Sequence, residues 1–315
     1  MSGLAGGPVP ATPAPPAPAR SGGGWWKGVV IGVPYLWLAV LFLVPFLIVF
    51  KISLSETAIA QPPYLPVFEW GSVSGLVESA RELSLQSYNW LVSDPLYINA
   101  YLSSLRIAAI STLLSLLVAY PLAYAMARAS NQLRPVLVMM TILPFWTSFL
   151  IRVYAWIGIL RNEGYLNQFL LGTGLVSAPL QILNTNIAVY IGIVYSYLPF
   201  MVLPIYASLE RMDRRLLEAA EDLGCTPVRA FWSVTFPLSL PGVLAGAFLV
   251  FIPAVGEFVI PDLLGGSETL MIGKTLWDEF FANRDWPVAS AVAVILLLIL
   301  VVPIALFQRI QAKTV

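Results

Sequence analysis

An all-α bundle that crosses a lipid bilayer about six times is the fold this sequence predicts. Three observations carry the prediction. Hydrophobic residues make up 58% of the chain and charged residues only 11%. About six apolar stretches are long enough to span a bilayer. Lysine and arginine gather in alternate loops, as they do in membrane proteins of fixed orientation. A soluble domain carries about a quarter charged residues, so the mean hydropathy of +0.81 leaves more apolar surface than a soluble core can hide. Lysine plus arginine balance aspartate plus glutamate at 17 each, which gives no basic excess for nucleic acid. Histidine is absent and Cys225 is the single cysteine. Those counts remove the commonest general base, the commonest metal ligand and any internal disulfide.

The elements follow in order. Residues 1–24 are rich in Pro, Ala and Gly and lack periodicity, which predicts a disordered tail. The apolar run behind them is of spanning length and no small-residue cleavage site follows it, unlike a signal peptide. A crossing needs about 20 mainly apolar residues for about 30 Å of hydrocarbon. The stretches that qualify are 29–50, 100–126, 136–160, 187–209, 241–264 and 288–307. Pro45, Pro121, Pro144, Pro199, Pro204 and Pro253 lie in or beside them as candidate kinks, tolerated where neighbouring helices satisfy the freed carbonyls. Arg128 and Arg134, then Arg211, Arg214, Arg215 and Arg229, lie in loops on one predicted side with Arg20, Lys27, Arg309 and Lys313. The opposite loops hold fewer cations, Lys51, Arg81, Arg161, Lys274 and Arg284, so both termini are expected in the cytoplasm. The long loop 52–97, with Glu56, Glu69, Glu78, Glu82 and Asp94, then faces outside. The chain divides into a tail (1–24), a first helix with its outer loop (25–95) and a core membrane domain (96–315) holding a cytoplasmic loop at 209–240.

That loop is the most informative stretch. Leu209, Met212, Leu216, Leu217, Ala220 and Leu223 recur at helical spacing. Gly224 predicts the helix end, and Thr226 with Pro227 predicts the cap and first position of a second short helix. Val228, Phe231 and Trp232 are expected to pack that second helix, forming a compact knob between two spans. Read physically, the loop could also simply fold back on its own bundle.

Glu218-Ala219-Ala220, three residues, Gly224, nine residues, then Val234-Thr235-Phe236-Pro237 resembles the EAA motif of permease subunits in ATP-binding-cassette importers. Phe236 stands where that motif usually has leucine. The resemblance implies a type I importer permease fold. It also implies that Glu218, Ala219, Ala220, Gly224, Val234 and Pro237 belong to a coupling helix seated in a groove of an ATPase subunit. Ala219 and Ala220 would allow close approach, Glu218 would supply an acceptor and Gly224 would fix the turn.

Two further stretches, LPFWTSFLIRVYAWIGIL from Leu143 and GEFVIPDLLGG from Gly256 with the segment that follows Met271, are similar to polyamine permeases of bacteria, the putrescine systems above all. The implied partners are a sister permease in a heterodimer, two ATPase subunits and a periplasmic or lipid-anchored polyamine-binding protein. No cofactor is expected in this chain, because ATP and Mg would be bound by the ATPase. The expected location is the bacterial inner membrane. A slim dication needs carboxylates and aromatic faces along its path, and Trp146, Tyr154, Trp156, Glu257 and Asp262 are the candidates. For each ring taken singly, an interfacial anchor or packing role is the commoner one. Glu257 can equally be the partner of Arg152 or Arg106. Arg152 would repel a dication, which favours a structural role for it. Trp277, Asp278, Glu279 and Trp286 are candidates for docking the binding protein, with Asp285 beside them, although each acid can simply be solvated.

Gly273-Lys274-Thr275 matches the end of a phosphate-binding loop, but the first glycine that loop requires would fall at Glu268. Two other classes compete. A gradient-driven secondary transporter predicts an inverted repeat, and none is evident. A membrane enzyme needs a catalytic constellation, which this composition does not supply. Within the favoured class the alternative is a permease for another small cation, amine or organic solute.

Overall fold

The computed structural model describes residues 24–67, 79, 81–213 and 215–314. The Pro-rich tail, Glu69, Glu78 and Arg214 lie outside the described residues, as do the side chains of Lys27, Arg309 and Lys313. Two units are recognised, one ending at Ile48 and one from Val49 onward. In the first, α1 (Gly24–Leu38) passes through a widened π turn at Ala39–Leu43 into α2 (Val44–Ser53). Its side chains are almost all apolar and exposed, and Phe42 stacks on Phe46 at 6.3 Å.

The second unit is built on three long helices. These are α4 (Pro95–Arg128), α8 (Asn186–Glu210) and α11 (Phe236–Val255), which pack on one another along their lengths. Small residues make this possible. Ala100, Ser104, Ala108, Ser111, Ser115, Ala119 and Ala123 form the buried stripe of α4, and close backbone approach at such stripes is what joins helices where no water drives them together. A Cβ on Gly246 of α11 would lie 2.9 Å from the Met201 sulfur of α8, so that crossing needs glycine. The Tyr120 hydroxyl shares a 2.9 Å hydrogen bond with Ser239 across α4 and α11.

The predicted spans at 100–126 and 187–209 correspond to α4 and α8. The stretch 136–160 does not form one rod. It is a broken pair: α5 (Leu133–Ile142) with a 3-10 turn at Leu143–Trp146, then α6 (Phe149–Leu160) leading to α7 (Tyr165–Gly172), the two halves bent by 90°. Pro144 starts the tightened turn, and Thr147 and Ser148 are extended. The Thr147 hydroxyl donates to the Pro144 carbonyl at 2.8 Å, which satisfies an acceptor freed at the break. Among the described residues, four helices are long and apolar enough to cross a membrane, the bent pair supplies up to a fifth, and α14 (Trp286–Thr314) covers the last predicted stretch.

The described part of the loop 52–97 carries regular structure. Strands β1 (Glu56–Thr57) and β2 (Tyr64–Leu65) pair antiparallel, with Glu56 opposite Leu65, and α3 (Gln86–Ser93) follows. The hairpin is tied down by Thr57, whose hydroxyl donates to Asp285 at 2.7 Å, and by Lys51 over the Tyr64 ring at 4.4 Å.

Candidate functional site

The 209–240 loop sits at the end of the bundle where α8 stops and α11 begins. Its first predicted helix does not run on from Leu209. The chain turns at 211–213, and α9 (Arg215–Asp222) starts afresh, with the Asp213 carboxylate accepting from Arg215 N at 3.0 Å. An aspartate cap there interrupts the helical spacing that the apolar residues alone suggest. Gly224 ends α9 at φ +79°. Gly224 N donates to Glu221 O at 2.8 Å and Cys225 N to Ala220 O at 3.0 Å, the paired closure of a Schellman turn, whose left-handed residue favours glycine.

Thr226 caps α10 (Pro227–Ala230), accepting from Arg229 N at 3.4 Å. The second predicted helix is not a separate knob, however. It continues through a π turn at Phe231–Thr235 into α11, one helix from Pro227 to Val255. Pro237 has no N–H for the carbonyl of Ser233, and the widened turn lies just upstream of it. Val228 and Trp232 are 70% and 61% exposed, although one side of the Trp232 ring meets Phe231 at 5.1 Å and Phe236 at 5.2 Å. Phe231 packs inward, edge-on to Tyr120 at 5.6 Å and Tyr124 at 5.9 Å. Of the motif residues, Ala220 is buried, Val234 is half-buried, and Glu218, Ala219, Gly224 and Pro237 are exposed. Leu216 and, at 86%, Leu223 are exposed as well. The loop therefore presents apolar side chains that the described residues leave exposed.

The five path candidates have different surroundings, although Trp156 packs on the cluster that holds Val255 and Ile260, on either side of Glu257. Trp146 is exposed on a groove of about 730 Å³ shared with Arg134, Tyr206 and Glu210, where Arg134 and Glu210 pair at 3.2 Å. Tyr154 is exposed on α6, whereas Trp156 packs edge-on against Tyr195 at 5.3 Å. Asp262 pairs with Lys274 at 3.2 Å and is half-exposed.

Glu257 is the buried carboxylate, 7% exposed, at the break between α11 and α12 (Val259–Leu264). It pairs with neither Arg152 nor Arg106. It accepts from the Tyr197 hydroxyl, from Val259 N at 3.1 Å and from Ile260 N at 3.4 Å, so it caps α12 and ties it to α8. Gly192 lets this segment approach α8: a Cβ there would meet Leu264 at 2.7 Å and Ile260 at 2.8 Å. Gly273 serves the other side. It opens α13 (Ile272–Trp277) against the backbone, where a Cβ would lie 2.6 Å from the Glu257 carbonyl. Gly273-Lys274-Thr275 is thus a packed helical turn rather than a phosphate loop.

Around the hairpin, Trp277 stacks on Phe258 at 4.4 Å and Phe281 at 4.1 Å, and Asp278 is exposed. Glu279 and Asp285 are engaged within the chain. Glu279 accepts from Tyr97 at 2.8 Å and Asn283 at 2.9 Å, and Asp285 accepts from Thr57 and from Val288 N at 3.1 Å. Trp286 lies flat on Phe280 at 5.0 Å. Those three side chains are engaged within the chain, whereas Asp278 is exposed and Trp277 is 42% exposed beside its ring partners. Tyr197, the hydroxyl partner of Glu257, carries no sequence signal for that role, because its partner is 60 residues away. Among the described residues no cluster of metal-ligating side chains occurs.

Residues 111–315 match the family described as the binding-protein-dependent transport system inner membrane component. The chain is 38% identical over 284 residues to the spermidine/putrescine transport system permease protein PotB of Haemophilus influenzae, covering 90% of this chain and 93% of that protein. It is 42% identical over 226 residues to PotB of Escherichia coli, covering 72% of this chain and 82% of that one. Its fold is similar to a chain of the bacterial alginate ABC transporter solved in complex with an alginate-bound periplasmic protein, with TM-score 0.67, 13% identity and coverage of 92% and 95%.

Proposed function

From the premise that this chain belongs to the inner-membrane components of binding-protein-dependent transport systems, we propose that it is half of the path of an ATP-driven polyamine importer. It is a multi-pass transport subunit of the inner membrane, not an enzyme. ATP and Mg are bound by two copies of a separate ATPase, a sister permease forms the other half, and a periplasmic or lipid-anchored binding protein delivers the cargo. Both termini face the cytoplasm in this reading, so the 209–240 loop does too.

One observation carries the coupling role. The loop is closed on itself by its Schellman turn and Thr226 cap, yet Leu216, Leu223, Val228 and Trp232 stand exposed on it. Exposed apolar surface of this kind marks a partner. What the partner moves is set by connectivity. The same continuous helix begins in the loop at Pro227 and ends at Val255, beside Glu257. A 29-residue helix is about 43 Å long at about 1.5 Å per residue, enough to carry a displacement across the bilayer. Rocking of α11 against α8 then changes the surroundings of Glu257, and the six-helix halves open alternately to the two sides.

Polyamine as cargo is supported by the names of the relatives and by the buried Glu257 carboxylate. Uptake of labelled putrescine is measured in a polyamine-uptake-deficient strain expressing this chain with its co-encoded subunits, with unlabelled spermidine as competitor. Uptake that requires this chain and ATP supports the reading, and the competition ranks the two amines. An assembled complex that takes up neither would redirect the search to another small cationic or organic solute.

A further inference from the structure

Arg152 and Glu257 are the only charged side chains buried among the described residues, at 8% and 7% exposed. They lie in one bundle and do not meet. The Nε and Nη1 groups of Arg152 are shut away from solvent without a hydrogen-bond partner. Its guanidinium lies over the rings of Phe145 at 4.9 Å and Phe149 at 5.8 Å. A ring face attracts a cation but does not satisfy a fork of N–H donors. Arg152 also stands in the first turn of α6, where the helix dipole disfavours positive charge. On the other side, Glu257 accepts one hydroxyl and two backbone N–H groups, and no cation pairs with it.

Between the two charges runs a continuous seam of rings. Phe145 meets Phe200 edge-on at 5.2 Å, Phe200 meets Tyr197 at 6.2 Å, and the Tyr197 hydroxyl reaches Glu257. Tyr197 and Phe200 stand one turn apart on α8. Each charge sits beside a break, Arg152 just past the 90° bend and Glu257 where α11 gives way to α12. The separation of the pair is therefore set by segments jointed at their ends, not by one rigid helix. A charge at membrane depth whose donors lack acceptors is costly and functional by default, and Glu257 is the one other charged side chain buried among the described residues.

We propose that Arg152 is the resident competitor for the cargo cation at Glu257. In this conformation the guanidinium is parked on Phe145 and Phe149, and the carboxylate is held by Tyr197 and two backbone amides with no described cation beside it. In the alternate conformation the seam shifts, Arg152 bonds to Glu257, and the cargo ammonium is displaced. The proposal rests on the alternating-access polyamine reading above and adds the group that drives release.

The test is uptake kinetics in proteoliposomes holding the whole complex, with ATP hydrolysis measured alongside, for Arg152→Gln, Arg152→Lys, Glu257→Gln and the double Arg152→Gln/Glu257→Gln. Arg152→Gln is expected to lower the uptake maximum by about tenfold and to lower KM as well, because cargo is held longer. Arg152→Lys, which keeps the charge and loses the fork, falls between. Glu257→Gln raises KM, and in the double variant the Arg152 substitution has no further effect on KM. The proposal is overturned if Arg152→Gln lowers the maximum with KM unchanged, or if the two substitutions act independently. If the glutamine variant does not assemble, the lysine variant decides: a KM equal to that of the unaltered complex overturns the proposal. An unaltered complex that hydrolyses ATP but moves no polyamine overturns the cargo reading itself, and this inference with it.

Discussion

Truncating Leu223 to alanine separates a coupling surface from a loop that merely folds back on itself. Leu223 follows α9 and is 86% exposed, so the change costs this chain's own stability less than about 0.5 kcal/mol. In the assembled importer the same side chain is expected to be buried against the ATPase. Leu→Ala removes three carbons, each contributing about 0.8 kcal/mol when buried, so association loses about 2 kcal/mol. That corresponds to about a 30-fold rise in Kd. The affinity of purified ATPase for the permease in nanodiscs is read by surface binding, with thermal unfolding of the permease run in parallel. Unchanged affinity with unchanged unfolding would refute the reasoning, because the exposed face would then have no ATPase on it. A large loss of stability would refute it in a different way, by showing that Leu223 packs within its own chain.

Other predictions follow from single contacts. Gly224→Val places a β-branched residue at φ +79° and is expected to cost about 1–2 kcal/mol locally, lowering ATP-dependent uptake in transport assays while the spans still insert. Tyr197→Phe removes the hydroxyl donor to Glu257, so the midpoint of thermal unfolding falls by an amount equivalent to about 1–3 kcal/mol and the KM for uptake changes. Asp262→Asn and Lys274→Gln break a partly exposed ion pair and are expected to shift stability by no more than about 1 kcal/mol in unfolding experiments. A larger effect would place that pair in a less solvated setting than the structure gives it.

The long helices were legible in the sequence because hydrophobicity over twenty residues is a strong, local signal. The stretches at 100–126 and 187–209 match Pro95–Arg128 and Asn186–Glu210 closely. The turn chemistry at Gly224, Thr226 and Pro227 was legible for the same reason, since each residue acts within a few positions of itself. Long-range pairings were not. Pro144 marks a kink, but the 90° bend also needs the extended Thr147 and Ser148, which carry no such mark. The sequence offered Arg152 and Arg106 as partners for Glu257 because charge suggests charge. The structure instead gives Glu257 a tyrosine hydroxyl and two backbone amides. Val228 and Trp232 read as packing residues because apolar side chains usually turn inward, whereas both are largely exposed in the structure. The intrachain bonds of Glu279 and Asp285 were hidden for the opposite reason, since a loop of mixed composition does not reveal how many of its acids close it internally.

The most direct test of the central claim is the ratio of labelled putrescine taken up to ATP hydrolysed, measured in proteoliposomes for the unaltered complex and for one carrying Glu218→Lys with Gly224→Asp. The account predicts that the altered complex assembles but its uptake collapses, because motion of the ATPase no longer reaches α11. Normal uptake by a normally assembled altered complex would contradict it, and the 209–240 loop would then not be the coupling element.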